Sequence, residues 1–593
     1  MKKYLLRMLP YLSVAIIIAG YMSITVNRYL PVQDGWFQYY SMLLVKGQFP
    51  YKDFFYYMTP GYLYFFKLQY LMFGNDFLDY RIYGVFERVL IAWLMIGLLN
   101  KHFSSYECFL AVTFGFFAYA GFNLDYPDSY YQSVFLIFMV SIVLLYKVLN
   151  TKNVGLMYCY AVLLGASNSL LLLFKQSTGV VCLFVFSIYL VVSIWNKFRL
   201  RETFIVISLY FLSILFILGS VIFWLQLHDA LPQFYHQVFG SSSAKGSPFG
   251  ILTNGVIRSV SNLNIFAIPC LALIFYAYSK IKEQSIKSTK NLLLWFATCL
   301  VLAVCYVMPL FIQLPTFLYW NKHIADKVTS IIFLLMVIVC LLYAFKRHQN
   351  KLFGFLFYAS FWAVVWMYSH GTSGIIEIPS TWLAFSICTL ILLRGLSSKV
   401  SRGIVFILGC YFILIISDFR YRQPYAWWGW FEPDIHAANV VNNIPGISNF
   451  KLSPRTNIMY NKIYTDIMNN TTRDDQVFVF PHMQIFNVMT GRMNTNFTPI
   501  TWFDVCPDKY AESTAQWVDK VRPKIIVYMH VSKTALEVHE KSFRNGNPSG
   551  QREIIKVINK LVNSGEYVVI DSFTQDEGEF ANFPLTVLMR NDK

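Results

Sequence analysis

The chain has 593 residues, 56% of them apolar and 14% charged, with 49 basic against 32 acidic residues for a net charge of +17. A soluble domain carries about a quarter charged residues, so an ordinary soluble enzyme is excluded; the 54 Phe and 40 Tyr exclude disorder, and ten Cys in so long a chain exclude a disulfide scaffold. What remains is a polytopic membrane protein, in which a basic excess need not signal nucleic acid because Lys and Arg gather in cytoplasmic loops.

A span needs about 20 mostly apolar residues to cross the hydrocarbon core. Thirteen such stretches are predicted, near Leu5–Val26, Tyr80–Leu99, Phe103–Phe122, Tyr130–Leu149, Gly155–Phe174, Thr178–Trp195, Phe204–Leu227, Ile265–Tyr278, Asn291–Ile312, Val328–Phe345, Leu352–Tyr368, Ile378–Leu393 and Gly403–Ser417. The first follows Met1-Lys2-Lys3 but has a long apolar core and no small-residue cleavage site, and reads as an uncleaved span. Lys and Arg concentrate on alternate connections, at Lys2, Lys3, Arg7, Lys101, Lys147, Lys152, Lys197, Arg199, Arg201 and on through Arg402. The positive-inside rule makes that side the cytoplasm. The outer side then holds residues 27–79, the loop 123–128, the loop 228–264 and everything after Asp418.

Residues 418–593 differ in character. They hold 19 basic and 19 acidic residues, so the whole +17 arises before them. Apolar runs with period 2 at Gln476–Phe480, Lys524–Tyr528 and Tyr567–Ile570 alternate with helical patterns at Asn461–Met468 and Arg552–Val562, which predicts a small α/β domain outside the cytoplasm. The predicted architecture is therefore an α-helical membrane domain over 1–417 and an extracytoplasmic α/β domain over 418–593.

The first external segment, 27–79, is rich in Tyr, Phe and Trp and broken by Gly and Pro, a composition suited to short interfacial helices. Asp34 lies just beyond the first span, where a carboxylate is partly desolvated yet reaches an aqueous substrate, as a general base must. The structural alternative is a cap for a helix starting near Trp36. Asp125 and Asp128 crowd the second external loop, a placement suited to acceptor binding or to a divalent metal, the one cofactor candidate; Asp128 has a capping alternative. Lys175 sits at the outer end of the fifth predicted span, where a cation is disfavoured unless it snorkels or meets a phosphate. Arg88, two turns into the second predicted span beside Glu87, is a functional candidate by depth, with an interior ion pair as its alternative. Lys245 and His370 are further external candidates. Tyr425, Trp427 and Trp428 follow the last span and suit either a sugar site or the interfacial belt. Motifs for nucleotide binding, a zinc protease or a serine hydrolase are absent.

In order and sidedness these features resemble the GT-C superfamily of integral membrane glycosyltransferases, especially bacterial members related to protein O-mannosyltransferases and the lipid A aminoarabinose transferase. The resemblance covers the membrane half and rests on Asp34, the run Gly47…Pro50-Tyr51…Asp53-Phe54…Pro60, the acidic loop Asp125–Asp128, and Phe174-Lys175-Gln176-Ser177-Thr178-Gly179. Many family members carry paired acids in the first loop, whereas Gly35 follows Asp34 here. The resemblance implies transfer of a sugar from a polyprenyl-phosphate donor to a glycan, lipid or protein acceptor at the outer face of the cytoplasmic membrane. It further implies one inverting displacement, with Asp34 as base and with Asp125 or Asp128 positioning acceptor or metal. Lys175, Arg88, His370 and Lys245 would face the donor phosphate, and Trp36, Tyr51, Tyr425, Trp427 and Trp428 the sugar or prenyl chain. The competing classes are a flippase or transporter, for which mid-membrane charges and internal repeats are wanting, and a ligase of lipid-linked saccharides, which usually centres on a late external loop.

Overall fold

Inside a bilayer every backbone N–H and C=O must be satisfied within the protein, so apolar runs of this length form helices. The computed structural model describes residues 2–122, 129–195, 197–240, 257, 260–261, 267–281, 292–312, 322–346, 351–370, 381–396, 398–427, 430–574 and 584–592. Each predicted span contains a helix among its described residues: α1 Lys2–Thr25, then, beyond the segment 27–76, α4 Phe77–Leu99, α5 Ser105–Phe122, α6 Tyr130–Asn150, α7 Val154–Phe174, α8 Gln176–Trp195 and α9 Leu200–Leu227, followed by Ala267–Lys280, Leu292–Val307, Lys322–Lys346, Lys351–His370, Thr381–Gly395 and Lys399–Arg422. That segment supplies α2 Trp36–Val45 and α3 Pro60–Phe73. Among the described residues nine helices are long and apolar enough to cross a membrane; Ala267–Lys280, Ser330–Tyr343 and Thr381–Gly395 are apolar but shorter. The last predicted span, short in the sequence, extends to 24 residues because its polar ends stay helical.

Two compact units form. One comprises Met1–Ile24, Ile82–Gly219 and Pro248–Tyr421; the other comprises Thr25–Arg81, Ser220–Ser247 and Arg422–Lys593. The second unit thus joins the first external segment to the C-terminal residues, a grouping that a division at Asp418 does not describe.

In the membrane unit, buried polar side chains bind helix to helix. Asn168 Nδ2 on α7 donates to the Tyr210 hydroxyl on α9 at 2.9 Å, and the same hydroxyl lies 3.1 Å from Ser187 Oγ on α8. Ser141 on α6 meets Ser167 on α7 at 2.9 Å. Such bonds hold spans together where lipid removes the hydrophobic drive for association. Lys175 alone separates α7 from α8, and the chain reverses there because the helices approach closely. A Cβ at Gly179 would lie 2.1 Å from Leu172 Cα.

In the second unit, strands Val477–Phe480, Ile525–Met529, Leu585–Arg590 and Tyr567–Phe573 lie in that order, the first pair parallel and the others antiparallel. Alternate residues Phe478, Phe480, Ile526, Tyr528 and Leu588 share a core with Ala511, Ala515 and Val518 of the helix Asp508–Val521 and with Ile554, Ile558 and Leu561 of the helix Gln551–Asn563. The predicted α/β character holds, with a strand the sequence pattern did not mark. Leu585–Arg590 lies between two partners, and its contiguous Val587-Leu588-Met589 breaks a period-2 alternation.

The segment 27–79 is fastened to this domain by backbone bonds. Lys451 N–H donates to the Asn27 carbonyl at 2.7 Å, Phe77 N–H to that of Gly446 at 2.9 Å, and Phe55 N–H to that of Phe497 at 2.7 Å. Within it α3 is two-faced. Pro60, Tyr62, Leu63, Phe66 and Gln69 are buried while Leu68, Leu71 and Met72 are exposed, as an interfacial helix requires.

Gly179→Ala should lower stability by about 1–3 kcal/mol through overpacking. Gly219→Ala, where a Cβ would meet nothing within 4 Å, should not. Thermal unfolding of the purified variants in detergent measures the difference, and equal melting of the two would contradict the close-approach account.

Candidate active site

The second unit buries an ion pair. Asp34 Oδ2 accepts from Arg81 Nη2 at 2.8 Å, with the two side chains 5% and 1% exposed. Arg81 Nη1 also donates to the Tyr29 carbonyl at 2.6 Å and to that of Val26 at 3.2 Å, and the guanidinium lies 4.7 Å from the Tyr29 ring centroid and 4.9 Å from that of Phe450. One cation therefore ties the chain leaving α1 to the start of α4. A planar guanidinium with five fixed donors suits this task in a way an ammonium does not. Tyr460 seals the same region, its hydroxyl donating to the Leu30 carbonyl at 2.8 Å.

Asp34 is not the cap of α2. Gly35 takes that position with φ 98°, and the helix start has no side-chain cap bond. A Cβ on Gly35 would lie 2.8 Å from the Ile485 backbone. The position where many members of the resembled family carry a second acid thus has neither the backbone conformation nor the room for a side chain here.

The aromatic candidates of this unit are structural partners as well. Trp36 Nε1 donates to the His482 carbonyl at 2.9 Å. The His482 ring lies 4.2 Å from Trp502, and burial pulls its imidazole down to about 3, which keeps it neutral. Tyr51 is fully buried at φ 69°, with its hydroxyl on the Met58 carbonyl at 2.7 Å and its own carbonyl on Gln237 Nε2 at 2.7 Å. Tyr425 is buried, and its carbonyl accepts from Glu432 N–H at 2.9 Å.

The membrane unit buries a separate polar group. Glu87 on α4 accepts from Ser133 Oγ at 2.8 Å and from Gln132 Nε2 at 3.2 Å, both on the first turn of α6. Arg88, the next residue and so about 100° further round the helix, places Nη1 3.3 Å from Met22 Sδ and its guanidinium 5.4 Å from the Tyr119 ring centroid. Lys175 is 4% exposed, with Nζ 4.3 Å from the Tyr131 ring centroid. It therefore does not snorkel. The motif around it is held by Thr178 Oγ1, which donates to the Ser369 carbonyl at 3.0 Å. His370 closes the helix Lys351–His370.

Asp34, Trp36, Tyr51, Tyr425 and Trp427 thus belong to the second unit, and Arg88, Lys175 and His370 to the first. Asp125, Asp128, Lys245, Trp428 and the side chains of His370 and Trp427 lie outside the described residues. Among the described residues no group of three or more His, Cys, Asp or Glu could hold a metal ion. Arg81, not among the sequence candidates, carries the signal that marks Lys175: it is a basic residue at the predicted outer end of a span, against the charge rule.

No family model matches the chain, and no curated protein matches it in sequence. Among solved structures it is similar to ArnT from Cupriavidus metallidurans bound to undecaprenyl phosphate, at 10% identity over 98% of this chain and 98% of that chain with a TM-score of 0.45. It is also similar to the oligosaccharyltransferase of Archaeoglobus fulgidus in complex with Zn and sulfate, at 10% identity over 87% and 67% of the two chains with a TM-score of 0.43. The apo state of the same ArnT gives 9% identity over 97% of each chain and a TM-score of 0.35.

Removing one partner of a buried ion pair strands the other, so Arg81→Gln should cost about 3–5 kcal/mol. The double variant Asp34→Asn/Arg81→Gln should cost clearly less than the sum of the single changes. Denaturation of all three in detergent gives the coupling, and additive losses would mean that the two side chains do not depend on each other.

Proposed function

We propose that the chain is an integral membrane glycosyltransferase of the GT-C type. It moves a sugar from a polyprenyl-phosphate-linked donor to a cell-envelope acceptor at the outer face of the cytoplasmic membrane. The observation that carries this reading is the burial of Asp34 with Arg81 in one unit, and of Arg88 and Lys175 in the other, in a chain otherwise poor in charge. Burying a charge is costly in any folded unit unless it is paired, and within membrane helices an ionisable group is a functional candidate by default.

The roles follow from the chemistry. An acceptor hydroxyl attacks the anomeric carbon as the bond from that carbon to the phosphate oxygen breaks. The hydroxyl proton passes to the Asp34 carboxylate, and the polyprenyl phosphate leaves with the bonding electrons. A guanidinium on one oxygen of a carboxylate stabilises its charge and lessens its pull on a proton. What Arg81 contributes in exchange is a fixed orientation, which a base needs in order to meet one hydroxyl in one direction. Lys175 and Arg88 supply positive charge for the departing phosphate, with His370 and Lys245 as secondary candidates. Asp125 and Asp128 position the acceptor or a divalent metal. The displacement inverts the anomeric centre, so no enzyme nucleophile is needed.

The sidedness has its own support. The grouping of the described residues of 25–81 and 422–592 in one unit supports a common side for the first connection and the C-terminal residues. The charge rule supports a cytoplasmic side for the basic connections 99–105, 149–154 and 195–200.

Purified protein in lipid, supplied with a panel of polyprenyl-phosphate sugars and an envelope lipid extract as acceptor, should release polyprenyl phosphate. Asp34→Asn should lower the rate at least about 100-fold, at the low end of what a general base contributes. Lys175→Ala should weaken donor binding about tenfold, the loss of one charge-assisted contact. Undiminished transfer by Asp34→Asn would remove the mechanism, and no donor consumption by the wild type would favour transport.

A further inference from the structure

The turn leading into Asp34 carries a second polar side chain that folding does not account for. The Asp34 N–H closes the turn on the Pro31 carbonyl at 3.0 Å, which places Gln33 at the third position of the turn. Gln33 is 4% exposed, and among the described residues neither its Nε2 nor its Oε1 has a hydrogen-bond partner. A primary amide brings two N–H donors and a carbonyl able to accept twice, and burying it unmatched carries the full desolvation penalty. Gln237 of the same unit donates to the Tyr51 carbonyl at 2.7 Å and accepts from Tyr56 N–H at 3.0 Å. The buried amides of Gln484, Asn487 and Gln551 leave their oxygens unmatched but donate through their nitrogens, whereas Gln33 is unmatched at both ends. Orphaned buried polar groups of this kind call for a specific explanation.

We infer that Gln33 is a substrate-binding residue whose carboxamide hydrogen-bonds two hydroxyls of the sugar handled at Asp34; this rests on the transferase reading above. The chemistry of the group selects the ligand class. A carboxamide is neutral, so it offers nothing that a phosphate or a metal ion would choose over Lys175, Arg88 or the acids. It does present a donor and an acceptor side by side, which matches neighbouring sugar hydroxyls, each of which both donates and accepts. The closed turn holds its backbone directly before that of Asp34. A site that buries such a group discriminates strongly between a substrate carrying the matching hydroxyls and one lacking them, because the analogue leaves the amide unpaired.

The test uses the full chain in lipid nanodiscs, with undecaprenyl-phosphate-linked hexoses, N-acetylhexosamines and pentoses as donors and the same lipid-extract acceptor. Gln33→Met keeps the length of the side chain and removes its polar atoms. Its KM for the working substrate should rise at least tenfold, while its Tm stays level or rises because a buried unpaired amide is gone. Deoxy analogues of that sugar should be poorer substrates for the wild type, and one of them should lose this handicap in Gln33→Met. An unchanged KM with an unchanged ranking of deoxy analogues overturns the inference, as does a fall in Tm with KM intact, which would assign the amide to a structural water. Failure of the wild type to turn over any donor overturns the transferase reading itself, and this inference with it.

Discussion

A buried guanidinium is the constraint on which the second unit of this protein depends. Arg81 cannot leave water without partners for its donors, and it finds them in the Asp34 carboxylate and the Val26 and Tyr29 carbonyls. Two ring faces complete its surroundings. Those partners lie on the stretch leaving the first membrane helix, whereas Arg81 lies at the start of α4. The ion pair therefore closes the loop 27–79 at its base. It also aims Asp34, the residue given the proton-transfer role. Net gain in stability is not the expected reason for such a pair, since an apolar replacement of similar volume often serves as well. A fixed carboxylate in a site screened from water is something an apolar pair does not supply.

The charge balance acquires a structural meaning from the two compact units. The C-terminal residues are neutral overall and pack with the external segment, while the basic excess sits on connections of the membrane unit. The neutrality of residues 418–593 leaves the buried ions of their unit as individual groups with individual partners rather than as a general field. Lys175 shows the same economy of placement. A lone lysine between two helices that reverse over one residue is held against Tyr131, and Gly179 permits the approach that buries it.

Much of the scaffold was legible because its physics is local. The predicted spans follow from the length of apolar runs, and the α/β domain from alternation in Gln476–Phe480 and Lys524–Tyr528, where one sheet face packs on helices. Asp34 and Lys175 were legible because a charge beside a span is conspicuous. The unread part is long-range. Nothing in 27–79 announces that Asn27, Phe55 and Phe77 bond to residues about 400 positions away, and that packing turns an expected membrane rim into part of a folded domain. It also turns Tyr51 from an exposed aromatic candidate into a buried fastener. Gly35 looked like a missing acid in the sequence and is instead a backbone requirement at φ 98°. Gln33 has no sequence signal at all; only burial without partners marks it.

The central claim is that Asp34, oriented by Arg81, faces the reacting sugar. It is tested most directly by a structure of the protein in lipid nanodiscs with a non-transferable phosphonate analogue of its lipid-linked sugar. The account predicts the anomeric carbon beside Asp34, with room for an acceptor hydroxyl within about 3 Å of the carboxylate or one water away. A sugar bound with Asp34 still sealed beneath protein, and no such path to its carboxylate, would contradict it.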